Sequence, residues 1–135
     1  QRQTKRVAAM TENELSHVIL GAAIEVHRTL GGPGLLEQVY EECLCRELEA
    51  RGLKVQRQVG IPILYKGHKV AKPLVLDMLV EGKVIIEVKA VEKHNPLFCS
   101  QLLTYLRLTG LKLGILVNFG EQVVKNGIHR VVNRL

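Results

Sequence analysis

The 135-residue sequence has no run of 18 or more apolar residues and nothing that resembles a secretory signal, so it predicts no membrane-spanning helix. Its three cysteines (Cys43, Cys45 and Cys99) are an odd number without zinc-type spacing, which favours reduced thiols inside the cell. The glycine-rich stretch 31–34 lacks the lysine and the serine or threonine of a phosphate-binding loop, and we interpret it as a tight turn. From these absences we expect a soluble, cytoplasmic protein with no membrane partner.

The excess of positive charge is also small. The formal net charge is +6, but Arg2, Lys5 and Arg6 belong to a polar, aperiodic segment, 1–10, that we predict to be flexible and to include foreign residues left by cloning. Without those three residues the net charge falls to about +3. The remaining residues, 11–135, are long enough and apolar enough for one domain with its own core. Charge is therefore compatible with a nucleic-acid partner but adds little to the argument for one.

Hydrophobic periodicity predicts three helices and a set of short strands. The helices are expected at 11–30, 35–51 and 97–109. The strands are expected at 53–59, 61–65, 68–71, 74–80, 83–89, 112–118 and 128–132. A strand that follows a crossover helix runs parallel to its predecessor, so the pattern predicts an α/β fold with a mixed central β-sheet flanked by helices on both faces.

Three charged residues interrupt the apolar strands 74–80 and 83–89. Asp77 lies in the first strand, and Glu87 and Lys89 lie in the second. A charge on a buried strand is costly unless it is paired or binds a metal. Glu87 and Lys89 are two residues apart, so they point to the same face of the sheet, roughly 6–7 Å from each other along the strand.

The turn between these strands decides whether Asp77 shares that face. A two-residue loop turns Asp77 to the wrong face, across from Ile86. A three-residue loop over 80–82, or a bulge, turns it to the shared face, across from Ile85. We therefore expect a loop of odd length or a bulge.

An Asp, a Glu and a Lys that converge at a strand end have a specific chemical use. Two carboxylates suit Mg²⁺ or Mn²⁺, and such an ion contacts phosphate oxygens and activates a water. The lysine ammonium positions the nucleophile or neutralises charge on the phosphorane. Asp77, nine intervening residues and the run Glu87-Val88-Lys89 resemble the signature of the PD-(D/E)XK nuclease superfamily, a short pattern of limited specificity on its own.

A second motif makes the resemblance more specific. Residues 34–40 read Gly-Leu-Leu-Glu-Gln-Val-Tyr and are similar to the G-x-x-E-x-x-Y motif of the GxxExxY protein family, a branch of the same superfamily. The resemblance continues through segments 23–27, 65–67 and 118–120 and covers nearly the whole chain. It implies a restriction-endonuclease-like core with all of the expected acidic positions present.

The resemblance also implies roles for individual residues. Glu37, the glutamate of the seven-residue motif, is expected to complete the acidic cluster through metal-bound water. Gln101 and Tyr105 lie four residues apart on the third helix, match the Q-x-x-x-Y element of RecB-type nucleases, and are expected to orient the lysine or a phosphate. The implied metal ligands are two strand carboxylates and one main-chain carbonyl, those of Asp77, Glu87 and Val88.

Other charged positions receive a structural interpretation. Most glutamates of the second helix are expected on a solvated face: Glu41, Glu42, Glu47 and Glu49. Glu25 and His27 are candidates for a supporting shell around the site, but we prefer to interpret each as an exposed helix position. For the connection that carries His94, contact with a phosphate backbone is the alternative to the preferred interpretation, an ordinary solvated loop.

The sequence thus carries one primary hypothesis about function and two alternatives. The primary hypothesis is a Mg²⁺- or Mn²⁺-dependent deoxyribonuclease that hydrolyses phosphodiester bonds with a metal-activated water. The first alternative is a catalytically silent or partner-dependent nucleic-acid-binding module with the same fold, and the second is a small-molecule hydrolase. The expected partner is nucleic acid, with DNA preferred to RNA, bound by a homodimer or together with another protein.

Overall fold

The computed structural model describes residues 10–135, so the predicted flexible segment lies outside the described residues except for Met10. In the part of the chain that the structure describes, no helix has the length and apolar content needed to cross a lipid bilayer. The three helices are α1 (Glu12–Leu30), α2 (Glu37–Ala50) and α3 (Leu97–Thr109). The strands are β1 (Val55–Ile61), β2 (Leu64–Tyr65), β3 (His68–Lys69), β4 (Leu74–Val80), β5 (Val84–Lys89), β6 (Leu113–Asn118) and β7 (Ile128–Val132), with a 3₁₀ turn at Val124–Gly127 before β7.

The element predictions agree with this structure at most positions. The bounds predicted for α3, β4 and β7 are those observed, and α1 and α2 begin one and two residues later than predicted. The bounds predicted for the strands at 53–59 and 61–65 are wrong. A single strand, β1, runs through Gly60, and only the two-residue β2 follows it. Gly60 does not interrupt this exposed edge strand, because glycine can adopt the extended backbone conformation as other residues do.

The helix ends follow from local chemistry. Thr11 caps α1 through a reciprocal pair of hydrogen bonds: its Oγ1 accepts the N–H of Glu14 at 3.1 Å, and Glu14 Oε1 accepts the N–H of Thr11 at 2.9 Å. Gly31 and Gly110 end α1 and α3 with φ of 86° and 74°, a left-handed conformation that glycine adopts without steric cost. These ends set the lengths of the helices that pack on the sheet.

Five strands form one mixed sheet in the order β1-β4-β5-β6-β7, and β2 and β3 form a separate two-stranded hairpin. β5 and β6 are parallel, with α3 as the connection between them, and the other neighbours in the large sheet are antiparallel. The predicted parallel pair and the predicted mixed α/β sheet are confirmed.

Helices cover both faces of the sheet, as predicted. On one face, Ile86 and Val88 of β5 belong to the core cluster that includes α1 and α2. The opposite face, which we call the α3 face, is built around Ile85, Leu102, Leu106 and Leu116. Because side chains alternate along a strand, Glu87 and Lys89 share the α3 face with Ile85. The fold thus places both charged residues of β5 beneath α3.

Candidate active site

A three-residue loop, 81–83, joins β4 to β5. Three residue pairs form the ladder between the strands: Met78 with Ile86, Leu79 with Ile85, and Val80 with Val84. The loop closes with a hydrogen bond from the N–H of Lys83 to the carbonyl of Val80 at 2.9 Å. The predicted odd loop length is confirmed, but the predicted position, 80–82, is wrong by one residue. Extended by one residue, this register sets Asp77 across from Glu87, and not across from Ile85, although the ladder itself ends at Met78.

The two strands separate at the position of the carboxylates. Beyond Met78 the backbone ladder ends, and side chains replace it. The N–H of Asp77 donates to Glu87 Oε2 at 2.9 Å, and the N–H of Val88 donates to Asp77 Oδ2 at 2.9 Å. Each carboxylate thus satisfies a backbone N–H of the opposite strand, which holds both side chains in the gap.

The side chains of β4 switch from one face of the sheet to the other at Asp77. Leu76 packs in the α3-face cluster, whereas Met78 packs in the cluster of α1 and α2. Residues two apart on a regular strand share one face, so the strand twists sharply between them. Gln58, in the facing part of β1, has a positive φ of 52°, which a non-glycine residue rarely adopts. Gln58 and Asp77 are the two positions missing from the register between β1 and β4, so the distortion in both strands lies at Asp77.

Burial opposes ionisation of the carboxylate pair. The pKa of Glu87 is raised to about 8, first by burial and then by the negative charge of Asp77, while the backbone hydrogen bond from Asp77 and the charge of Lys89 act in the opposite direction. Burial also raises the pKa of Asp77, with smaller contributions from the charges of Glu41 and Glu37. A bound cation would remove this repulsion, so the pair is electrostatically prepared for one.

Lys89 lies beside the pair on the α3 face. Its side chain is half-buried, and its Nζ lies 4.5 Å from the centre of the Phe98 ring in the first turn of α3. Its positive charge lowers the pKa of both Asp77 and Glu87 and so favours their ionised forms. The aromatic ring supports the ammonium group from the helix side and leaves it close to the carboxylates.

The backbone after Lys89 is held by the end of β6. The N–H of Phe119 donates to the carbonyl of Lys89 at 2.8 Å. Asn118 is buried, and its side chain accepts from the N–H of Val91 and donates to the carbonyl of Val91, both at 3.0 Å. Its Oδ1 also accepts from the N–H of Gly120 at 3.0 Å. The segment 118–120 therefore fixes the direction of the chain that leaves the strand end.

α2 contributes two glutamates, of which only one was predicted for the site. Glu37 is exposed in the first turn, and Glu41 lies one turn later with 7% of its surface exposed. The prediction of a solvated Glu41 is wrong, because Arg57 Nε donates to it at 3.0 Å and Gln58 Nε2 at 3.1 Å. The spacing of four residues between the two glutamates places them on one side of the helix and was the available signal.

Tyr40 of the seven-residue motif supports the turn before α2. Its buried hydroxyl donates to the carbonyl of Gly32 at 2.7 Å and accepts from the N–H of Leu35 at 3.3 Å. Its ring stacks on Phe119, with centroids 4.6 Å apart. His27 is buried rather than exposed as predicted, and its Nε2 lies 2.9 Å from the carbonyl oxygen of Glu121. These contacts connect the helix that carries Glu37 to the loop after β6.

The two residues of the Q-x-x-x-Y element have different environments. Tyr105 is half-buried, and burial followed by the charges of Glu87 and Asp77 raises its pKa, which places its hydroxyl within the field of the carboxylates. Gln101 is exposed one turn earlier on α3, and within residues 10–135 no hydrogen bond links it to the acidic cluster. The structure therefore brings together Asp77, Glu87, Lys89 and Tyr105, with Glu37 and Gln101 at exposed positions.

The donor set fits a hard divalent cation. One oxygen of each carboxylate is engaged by backbone N–H groups, and within the described residues Asp77 Oδ1 and Glu87 Oε1 accept no hydrogen bond. Carboxylate oxygens are the ligands that Mg²⁺ and Mn²⁺ prefer. Val88 lies between Glu87 and Lys89 in β5, so its main-chain carbonyl belongs to the same strand end.

Comparison with known proteins gives one family. A family model described as the PD-(D/E)XK nuclease superfamily matches residues 13–131, which is most of the chain. Searches of curated proteins and of solved structures gave no match. The match and the mixed sheet with helices on both faces together confirm the predicted restriction-endonuclease-like core. The chain belongs to the PD-(D/E)XK nuclease superfamily.

Proposed function

We propose that this protein is a metal-dependent nuclease that hydrolyses phosphodiester bonds of DNA. The observation that carries the proposal is the pair of half-buried carboxylates, Asp77 and Glu87, held across the open end of the β4–β5 hairpin with Lys89 beside them. Burying two like charges costs free energy unless a cation compensates them. A site that keeps both carboxylates in place through backbone hydrogen bonds is suited to binding that cation.

Asp77, Glu87 and the carbonyl of Val88 are the proposed ligands of Mg²⁺ or Mn²⁺. When bound, such an ion supplies Lewis-acid stabilisation of a phosphate and lowers the pKa of a water. The chain's own contribution is to fix two carboxylates at a strand end. Two hydrogen bonds define their position: the N–H of Asp77 donates to Glu87, and the N–H of Val88 donates to Asp77.

The other proposed catalytic residues act from the two helices and the strand end. Lys89 holds the attacking water or stabilises charge on the phosphate, since its ammonium lies over the Phe98 ring and its charge acts on both carboxylates. Glu37 extends the acidic cluster through water from an exposed position. Tyr105 and Gln101 orient Lys89 or a phosphate from α3. We also propose that the chain falls in the GxxExxY branch of the superfamily.

DNA is the proposed partner, and the net charge of the chain limits how tightly one copy binds it. About +3 remains without the three basic residues of segment 1–10, which is a small excess for phosphate binding. We propose that the protein acts as a homodimer or with another protein, because a second DNA-binding chain raises the affinity for a duplex.

The test is cleavage of labelled single-stranded and duplex DNA, and of RNA, with Mg²⁺, Mn²⁺ or EDTA. Wild type is compared with Glu87→Gln and Lys89→Ala. Lys112→Ala is the matched control, because Lys112 is exposed at the start of β6 and so lies at the other end of the parallel pair from Lys89. We expect metal-dependent cutting that falls at least about 100-fold in both site variants and stays near wild type in the control.

Three other outcomes contradict the proposal. Cutting that survives both site variants points to another site or to a contaminating nuclease. A folded protein that binds Mn²⁺ but cuts no polymer, at either low or high protein concentration, supports the catalytically silent binding module. Turnover of short nucleotide esters without polymer cleavage supports the small-molecule hydrolase instead.

A further inference from the structure

A second group of metal-ligating side chains lies outside the acidic site. His94 in the connection after β5, Cys99 in α3 and His129 in β7 come together at half-buried positions. One ligand atom from each residue lies within 4.8 Å of the other two. The donors are two imidazoles and one thiol, which differ in kind from the carboxylates of the acidic site.

His94 has a buried nitrogen without a partner. Its Nδ1 is shielded from solvent and makes no hydrogen bond within the described residues. A buried polar nitrogen left unpaired is destabilising, so this atom would gain from binding a ligand. The rings of His94 and His129 stack with centroids 4.2 Å apart and planes 17° apart, which keeps the second imidazole next to that nitrogen.

We propose that His94, Cys99 and His129 form a binding site for Zn²⁺ or a similar borderline transition-metal ion. Two imidazole nitrogens and one thiolate are a ligand set that Zn²⁺ takes, with water in the fourth position. The proposal rests on these three residues and does not depend on nuclease activity.

Small rearrangements complete the coordination. With bonds of about 2.0–2.3 Å, ligand atoms around a tetrahedral ion lie roughly 3.4–3.7 Å apart, so a shift of about 1 Å closes the group. The near-parallel rings must also turn so that their lone pairs converge. Rotation of an imidazole about its terminal torsion has a broad, shallow energy profile. His94 lies in a connection rather than a helix or strand, which makes that adjustment easier.

The protonation states of His129 and Cys99 act on metal binding in opposite directions. Burial and the neighbouring His94 lower the pKa of His129, so its imidazole is neutral and available as a ligand near neutral pH. Burial raises the pKa of the Cys99 thiol, so the thiol must lose its proton when the metal binds. Glu121 is the acidic group that acts on His129, and it opposes the effect of burial.

The ion would join three elements near Lys89. His94 contacts the Phe98 ring edge-on, with centroids 6.2 Å apart, and the same ring contacts Lys89. Binding would therefore restrain the 90–96 connection, the start of α3 and β7 together. It would stabilise the segment that leaves the acidic site without contributing a ligand to that site.

Co²⁺ is the probe for this site, because a cobalt–thiolate bond gives a charge-transfer absorption band in the near ultraviolet that carboxylate ligands do not give. We expect one Co²⁺ per chain with this band, displaced by Zn²⁺ but not by Mg²⁺. Cys99→Ser should abolish the band, and His129→Ala should weaken Co²⁺ affinity at least about 10-fold.

Three matched variants separate this site from others. Cys43→Ser tests another half-buried thiol, His68→Ala an exposed imidazole, and Glu87→Gln the acidic site. All three should keep the band and the Co²⁺ affinity. The proposal is overturned if wild type shows no thiolate band, or if the band survives Cys99→Ser or disappears in Cys43→Ser. Circular dichroism establishes that each variant is folded before its spectrum is compared.

Discussion

At the scale of single residues, Glu87 lies in a position that opposes its own ionisation. Its Oε2 is fixed by the N–H of Asp77, and the carboxylate of Asp77 lies across the same gap. The pKa of about 8 means that the metal-free folded protein holds a proton on Glu87 at neutral pH, whereas an unfolded chain with a value near 4.5 does not. Folding and proton binding are therefore linked at this residue.

The linkage predicts how stability changes with pH when divalent metal is removed. Between pH 4.5 and 8 the folded state binds more protons than the unfolded state, so the free energy of unfolding falls as the pH rises. The largest slope for one proton is about 1.4 kcal/mol per pH unit. Urea denaturation in EDTA at several pH values between these limits measures it.

Replacing Glu87 by Gln should remove most of this slope, because glutamine does not titrate and can still accept the N–H of Asp77. Glu92→Gln is the control, since Glu92 is exposed in the connection after β5. If Glu87→Gln keeps the wild-type dependence of the free energy of unfolding on pH, the linked proton belongs to another residue, and the assignment of a raised pKa to Glu87 is wrong.

At the scale of secondary-structure elements, the site depends on how β5 ends. The hydrogen bonds from Asn118 to Val91, and from Phe119 to Lys89, hold the chain as it leaves the sheet. Gly120 is required there, because a Cβ atom on it would lie 2.2 Å from the carbonyl oxygen of Val91. A backbone atom cannot rotate away as a side chain can, so any larger residue must displace the segment.

Gly120→Ala should therefore lower the free energy of unfolding by about 1–3 kcal/mol and reduce the proposed nuclease activity through displacement of Lys89. Gly60→Ala is the control, because nothing lies within 4 Å of its added Cβ in β1. That change should stay within about 0.5 kcal/mol of wild type. Urea denaturation gives the first quantity and the cleavage assay the second. Equal stability of the two variants would show that the 118–120 segment adapts to a side chain.

The sequence was sufficient for most elements and for the acidic hairpin. Periodicity predicted the three helices, and the requirement that Asp77 share a face with Glu87 predicted the odd loop. The loop's position was missed by one residue because every odd loop satisfies the same facing rule. Burial of Glu41 was missed because its partners, Arg57 and Gln58, are distant in sequence and pair with it only in the folded chain.

The histidine and cysteine group was missed for a related reason. His94 and Cys99 are five residues apart, but His129 is contributed by the last strand of the sheet. No local spacing identifies such a set, because the ligands meet through the order of strands β5, β6 and β7. Site residues within one hairpin are readable from sequence, whereas those assembled across the sheet need the topology.

At the scale of the whole molecule, charge is distributed against phosphate binding at the acidic site. The charges of Glu37 and Glu41 both act on Asp77, so at least three carboxylates surround the position proposed for a phosphate. Without a cation this cluster repels DNA, and the small overall positive charge does little to offset the repulsion. Local and global charge can be separated by changing the same charge at two places on one helix.

Glu37 and Glu49 are suited to this comparison. Both are exposed on α2, and twelve residues of helix separate them by roughly 18 Å. In EDTA and 0.1 M salt, where the screening length is about 10 Å, Glu37→Gln should tighten DNA binding about two-fold, and Glu49→Gln should leave it nearly unchanged. Fluorescence anisotropy of labelled DNA measures both affinities. Near 0.01 M salt, where screening extends to about 30 Å, the two variants should become more alike. Equal effects at 0.1 M salt would mean that DNA does not bind over the acidic site, and the placement of the substrate at Asp77 and Glu87 would fail.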